Sequence, residues 1–86
     1  MIDEIANGRH AIENELYARA KQRGLGITEV EWAPSNSGAQ LLAIRFQGRR
    51  RTLAIREEHV EDSATPEGVL RSVTKQLDVF LSSIAT

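Results

Sequence analysis

Between Gln40 and Glu57 the apolar residues fall at every second position, with Leu42, Ile44 and Phe46 in one run and Leu53 and Ile55 in the next. Alternation of this kind marks half-buried strands, and Gly48 between the runs supplies the positive φ that a tight reversal needs. With Gly48-Arg49 as the turn, Gln47 faces Arg50, Phe46 faces Arg51, Ile44 faces Leu53 and Leu42 faces Ile55. A further strand is predicted from Ile27 to Ala33, with Thr28, Val30 and Trp32 on one face and Glu29 and Glu31 on the other. The intervening Pro34-Ser35-Asn36-Ser37-Gly38 reads as a loop, because these residue types supply turn dihedrals and local hydrogen bonds.

The period changes to that of a helix on either side of the strands. Ile5, Ile12, Leu16 and Ala20 align on one stripe of a helix that starts between Asp3 and Gly8 and ends at Arg23. Glu15 and Arg19 stand one turn apart, Lys21 and Arg23 suit the negative end of the helix dipole, and Gly24 is a natural residue to follow the last turn. Asn7-Gly8 offers an alternative start. At the other end of the chain Thr65 caps and Pro66 opens a second helix, with Glu67 in its first turn. This helix runs to about Ile84, presenting Val69, Val73, Leu77, Phe80, Leu81 and Ile84, while Gly68 inside its first turn has no explanation in the sequence. Glu57 to Asp62 shows no clear period and reads as a connector.

The resulting order is helix, three strands, helix. The fold class expected is α+β, a two-layer sandwich in which a three-stranded antiparallel meander carries both helices on the face of Leu42, Ile44, Phe46, Leu53 and Ile55. The opposite face would show Glu29, Glu31, Leu41, Ala43, Arg45, Thr52, Ala54 and Arg56. Eighty-six residues, 41% hydrophobic, suit a single domain over residues 1–86 with a modest aliphatic core.

A net charge of −1 gives no overall field toward nucleic acid or membrane, so any such attraction must be local. No apolar run is long enough for a membrane span and no secretory signal is visible, which makes the cytoplasm the expected location. Cysteine is absent, which removes disulfides, thiolate metal sites and thiol nucleophiles together. The cations are nine arginines against two lysines, a bias that suits bidentate pairing with phosphate or carboxylate.

The element order resembles that of the double-stranded-RNA-binding-domain fold from about His10 onward. That family contacts RNA through a histidine-bearing loop between its first two strands and a lysine cluster opening its last helix. Here the loop is Ser35-Asn36-Ser37-Gly38-Ala39, and the helix opens with Pro66-Glu67-Gly68, followed by Arg71 and Lys75. The resemblance therefore implies the fold without the family's own set of RNA contacts. Leu53-Ala54-Ile55, His59, Pro66-Glu67-Gly68-Val69-Leu70-Arg71 and Lys75-Gln76-Leu77 are also similar to the last strand, loop and final helix of HicA-type toxins, which cleave messenger RNA. The catalytic Gly-Ser-His of those toxins has only Ser37-Gly38-Ala39 as its nearest match here. That likeness implies a chain without the nuclease activity.

Arg49, Arg50 and Arg51 form the strongest local charge, and with Arg45 and Arg71 they could grip phosphates. Charged tips also keep sheets from associating edge to edge, and alternation sends Arg50 to the side opposite Arg49 and Arg51. Glu57, Glu58, His59, Glu61 and Asp62 lie at the other end of the strand, on the order of 25 Å away, so the molecule should be electrically bipolar. This acidic run lacks the ligand spacing of calcium loops. His10 has Glu13 as its one candidate orienting carboxylate, and neither His10 nor His59 belongs to a recognisable catalytic motif. Gly24-Leu25-Gly26 is too short to cradle phosphate. Tyr17 and Trp32 are of the types enriched at binding hot spots, although Trp32 shares the face of Val30 and so suits the core.

These observations point to a small non-catalytic cytoplasmic interaction module, with no enzyme activity, cofactor or metal site expected. Its partner would be a protein or a second copy of the chain, meeting it at Leu41, Ala43, Arg45, Ala54 and Arg56 or along a strand edge. The alternative is a nucleic-acid-binding domain using Arg49, Arg50, Arg51, Arg71 and Lys75.

Overall fold

The computed structural model describes residues 4–34 and 38–85. Ser35, Asn36 and Ser37 of the anticipated loop lie outside the described residues, as do the side chains of Glu4, Pro66, Val69, Leu70 and Ala85. Helix α1 (Glu4–Gln22) leads into strands β1 (Ile27–Pro34), β2 (Ala39–Phe46) and β3 (Arg49–Arg56). Three helical segments follow, α2 (Glu57–Asp62), α3 (Pro66–Ser72) and α4 (Thr74–Ala85). The strands form one antiparallel sheet in the order β1-β2-β3, and the helices cover one of its faces. This is the α+β two-layer arrangement anticipated from the sequence.

The core lies between the layers. Ile12, Leu16 and Ala20 come from α1, and Leu42, Ile44 and Ile55 from the sheet. Val60 comes from α2, and Val73, Leu77, Phe80, Leu81 and Ile84 complete the cluster. Each fully buried leucine or isoleucine contributes about 2 kcal/mol by leaving water. Val30, Trp32, Phe46 and Leu53 flank them, so the alternation in the strands and the helical stripes meet as expected.

Helix α1 runs through Asn7-Gly8 rather than starting there. At its far end Leu25 N donates to Ala20 O at 2.9 Å and Gly24 N to Lys21 O at 3.1 Å. With Gly24 at φ 70°, this pair of bonds closes the helix as a Schellman motif.

The hairpin turns one residue earlier than Gly48-Arg49. Gln47 and Gly48 are its two central residues, with φ of 51° and 77°, the double positive φ of a type I′ turn. Leu42 consequently pairs with Leu53, Ile44 with Arg51, Gln40 with Ile55 and Phe46 with Arg49. The partner on β3 shifts by two residues relative to the anticipated register, and an even shift leaves every side chain on its face. Glycine at the second turn position allows all eight residues of β2 to pair with all eight of β3. The open end is then tied by Glu57 N donating to Gly38 O at 3.1 Å.

In β1 the register shifts between Ile27 and Glu29, so Thr28 leaves the face of Val30 and Trp32. The extra residue of this bulge puts Ile27, paired with Phe46, against the core instead. Thr28 stays exposed, and its hydroxyl donates to Arg45 O at 3.3 Å.

The run Glu57 to Asp62 is helical, not a connector. It carries a single buried apolar residue, Val60, too few to produce a period, and its helical signal is Glu57 and Glu58 in the first turn. Thr65 caps α3 as anticipated, its Oγ1 accepting from Gly68 N at 3.1 Å. The last helix is not continuous to Ile84 but breaks at buried Val73. The β-branched pair Val73-Thr74 is a weak point in a helix, and the break lets α3 dock on α2 while α4 lies over the sheet.

Both helical glycines mark close crossings. A β-carbon on Gly8 would collide with Val60 O, and one on Gly68 with Asp62 O. Gly68 thus has the reason the sequence alone does not supply.

Gly8→Ala and Gly68→Ala should each lower the stability measured by urea unfolding by about 1–3 kcal/mol through overpacking. Gly26→Ala, where nothing lies within 4 Å, should stay within about 0.5 kcal/mol of the natural chain. Gln47→Asn should stabilise the hairpin by a few tenths to about 1 kcal/mol, because asparagine tolerates the left-handed region better.

Candidate interaction surface on the open sheet face

The pairing arranges the uncovered face of the sheet in rows. Ala33, Leu41 and Ala54 form one, Glu31, Ala43 and Thr52 the next, and Glu29, Arg45 and Arg50 the row nearest the hairpin tip. Arg56 lies opposite Ala39 at the far end. Of the five anticipated contact residues, Arg45, Ala54 and Arg56 are exposed, Leu41 is half-buried, and Ala43 is only 7% exposed. They share one face, as expected, but Ala43 is floor rather than contact. The longer side chains around it leave a depression of about 140 Å³ bordered by Glu29, Glu31, Arg45 and Arg50. That is below the usual size of a small-molecule site.

Charge on this face is sorted by strand. The acids Glu29 and Glu31 stand on β1, and Arg50 and Arg56 on β3. Arg45 Nε lies 3.3 Å from Glu29 Oε2, Arg50 Nη2 is 3.9 Å from Glu31 Oε2, and Arg56 Nη1 is 3.3 Å from Glu58 Oε1. The partners are more than half exposed, so each pair contributes no more than about 1 kcal/mol.

Neither sheet edge offers a clean ladder to another strand. Strand β1 is broken by the bulge at Thr28 and ends at Pro34, and Gln76 Nε2 donates to Ala54 O on β3 at 2.8 Å. Proline, bulges and side-chain cover are the usual means of blunting an edge.

The five cations of the nucleic-acid alternative do not converge. Arg50 points to the open face. Arg49 and Arg51 rim a cleft of about 510 Å³ on the helical side, walled by Leu25, Phe46 and Ile84. Helices α1 and α4 both end beside this cleft, so the two arginines complement the negative ends of two helix dipoles. Arg71 Nη2 donates to Asp62 at 2.7 Å, and Lys75 stands next to Gln76 at the opposite end of β3 from the tip.

Glu13 Oε1 accepts from Trp32 Nε1 at 2.5 Å, and His10 is exposed. Trp32 packs against the core, and the guanidinium of Arg9 lies over its ring at 5.6 Å from the centroid. Arg9 Nη2 donates to the buried Gln40 Oε1. Gln40 is a polar residue in the apolar register of β2, and that misplacement was the sequence signal for a long-range polar contact.

A second network joins α1 to α4. Arg19 Nη1 contacts both oxygens of Asp78 at 2.7 Å while its Nε donates to Glu15 at 2.6 Å. Arg23 reaches Asp78 at 3.0 Å and Ser82 Oγ at 3.1 Å. Hydrogen bonding to Asp78, then to Glu15, raises the pKa of Arg19. The Arg19 hydrogen bond likewise holds Asp78 below the ordinary carboxylate range. Asp62 is lowered first by the hydroxyl of Ser72 and then by Arg71. Among the described residues, no cluster of histidine and carboxylate side chains could hold a metal, and no helix is long and apolar enough to cross a membrane.

A carboxylate whose folded pKa is depressed stabilises the fold fully above its unfolded pKa, about 3.9, and loses that contribution as pH falls through the folded value. Urea midpoints should therefore fall below about pH 4. Asp78→Asn should be less stable than the natural chain at pH 7 and approach it as pH drops toward about 2.

Comparison with protein-family models, curated proteins and solved structures finds no match to this chain.

Proposed function

We propose that the chain is a small, non-catalytic cytoplasmic interaction module that docks a protein on the open face of its sheet. The observation carrying this reading is the row Ala33, Leu41 and Ala54, apolar across all three strands, which lies on the face away from the chain's own helices. Charged residues border the row on both sides, the usual layout of an apolar contact zone inside a polar rim. The blunted edges favour the face over strand addition. The nucleic-acid alternative has less support, since its five cations do not share one patch.

A benzophenone-bearing residue at Ala54, activated in cells, should capture protein, and Leu41→Asp should reduce the yield at least tenfold while the urea midpoint shows the chain still folded. The same probe at Lys75, away from the face, should give no such Leu41-dependent adduct. Nucleic acid in the Ala54 adducts, or RNA affinity that falls steeply with salt and is lost when Arg49, Arg50 and Arg51 become serine, would replace this reading with the alternative.

A further inference from the structure

We infer that the partner for the open face is a second copy of this chain, packed sheet to sheet about a two-fold axis running along β2; this rests on the open-face reading above. A two-fold axis in the plane between two facing sheets can lie along the strands or across them. Lying across, it would set β1 over β1 and β3 over β3, acidic strand on acidic strand and basic on basic. Lying along β2, it sets β1 of each copy over β3 of the other and keeps every row at its own level.

The rows then complement one another. Glu29 shares its row with Arg50, so it comes to lie over Arg50 of the second copy, and the contact occurs twice. Glu31 meets Thr52, one row from the same arginine, and Ala33 meets Ala54. Leu41 meets Leu41 on the axis, forming the apolar centre. Arg45 also lies near the axis, where its charge is already offset by Glu29 at 3.3 Å. The intramolecular pairs do not exhaust these groups. Glu29, Glu31, Arg45 and Arg50 are 52–64% exposed at the side chain, and a guanidinium has donors for two carboxylates. The interface closes on itself as an isologous dimer, so its growth stops at two.

Three strands spaced about 4.8 Å apart present a face roughly 14 Å wide and 25 Å long, smaller than the contact area of a stable specific interface. The dimer is accordingly weak and reversible, and its assembly falls as salt screens the edge charges.

The arrangement makes a specific demand on charge reversal. In the variant Glu29→Arg/Glu31→Arg both outer strands become basic, and in Arg50→Glu/Thr52→Glu both become acidic. Sedimentation over a wide concentration range should show the natural chain associating and each variant alone associating at least tenfold more weakly. An equimolar mixture of the two variants should regain association, because each basic strand then meets an acidic one. The chain carrying all four substitutions should self-associate again. A natural chain that stays monomeric at millimolar concentration, or variants that associate as it does, overturns the inference, as does a mixture of folded variants that fails to recover. Association abolished by Leu41→Asp but indifferent to the charge reversals would leave the open face standing and remove the axis along β2. Capture at Ala54 of a different protein would do the same for the identity of the partner.

Discussion

Two backbone oxygens occupy the space where β-carbons would stand on two helical glycines, and the helical layer depends on that approach. Val60 O lies against Gly8 of α1 and Asp62 O against Gly68 of α3. Helix α2, which provides both oxygens, is only six residues long and would not persist alone in water. Its stability comes from what surrounds it. Val60 is fully buried, and Ser63, also buried, returns its hydroxyl to His59 O at 2.7 Å. Asp62 acts twice, with its carbonyl at the Gly68 crossing and its carboxylate taking hydrogen bonds from Ser72 and Arg71. The chain can therefore turn from the end of β3 into a helix that α1 and α3 both touch, and α4 is left free to run back over the sheet.

The parts of the fold legible in the sequence are those governed by side-chain periodicity. Leu42, Ile44, Phe46, Leu53 and Ile55 declared their common face, and that face survives a turn placed one residue off because the resulting shift in pairing is even. Ile12, Leu16 and Ala20, and later Leu77, Leu81 and Ile84, declared their helical stripes in the same way. Features set by backbone contact left little trace. The bulge at Thr28 changes which of Ile27 and Thr28 faces inward, yet no residue type announces it. Helix α2 has too few apolar residues to show a period. Nothing in the sequence around Gly68 announces the carbonyl of Asp62 that lies against it.

Candidate surfaces divide along the same line. Membership of the open face followed from alternation alone, so Leu41, Ala43, Arg45, Ala54 and Arg56 do share it. Their accessibility did not follow, because Ala43 sinks beneath longer neighbours. Arg49, Arg50, Arg51, Arg71 and Lys75 were grouped by charge and by nearness in the chain, neither of which fixes position in space. Asp62 draws Arg71 toward α2, and the helical ends beside Phe46 give Arg49 and Arg51 a local electrostatic reason to be there. Long-range polar contacts such as Arg19 to Asp78 link residues 59 apart and carry no local signature.

The two sheet faces answer different constraints on the same strands. The helical face must exclude water, and its one inward polar residue on β2, Gln40, is held by Arg9, which also stacks on Trp32. The other face mixes small and charged residues around a continuous apolar row of Ala33, Leu41 and Ala54. Separation of that charge by strand, acids on β1 and bases on β3, is not needed for solubility, since interspersed signs would serve equally well. Nor is it needed for the internal ion pairs, which would form with the strands exchanged and which at this exposure contribute little. What the separation does provide is direction across the sheet. A face with an acidic side and a basic side distinguishes one orientation of an approaching sheet from its reverse, and apolar contact alone cannot do that.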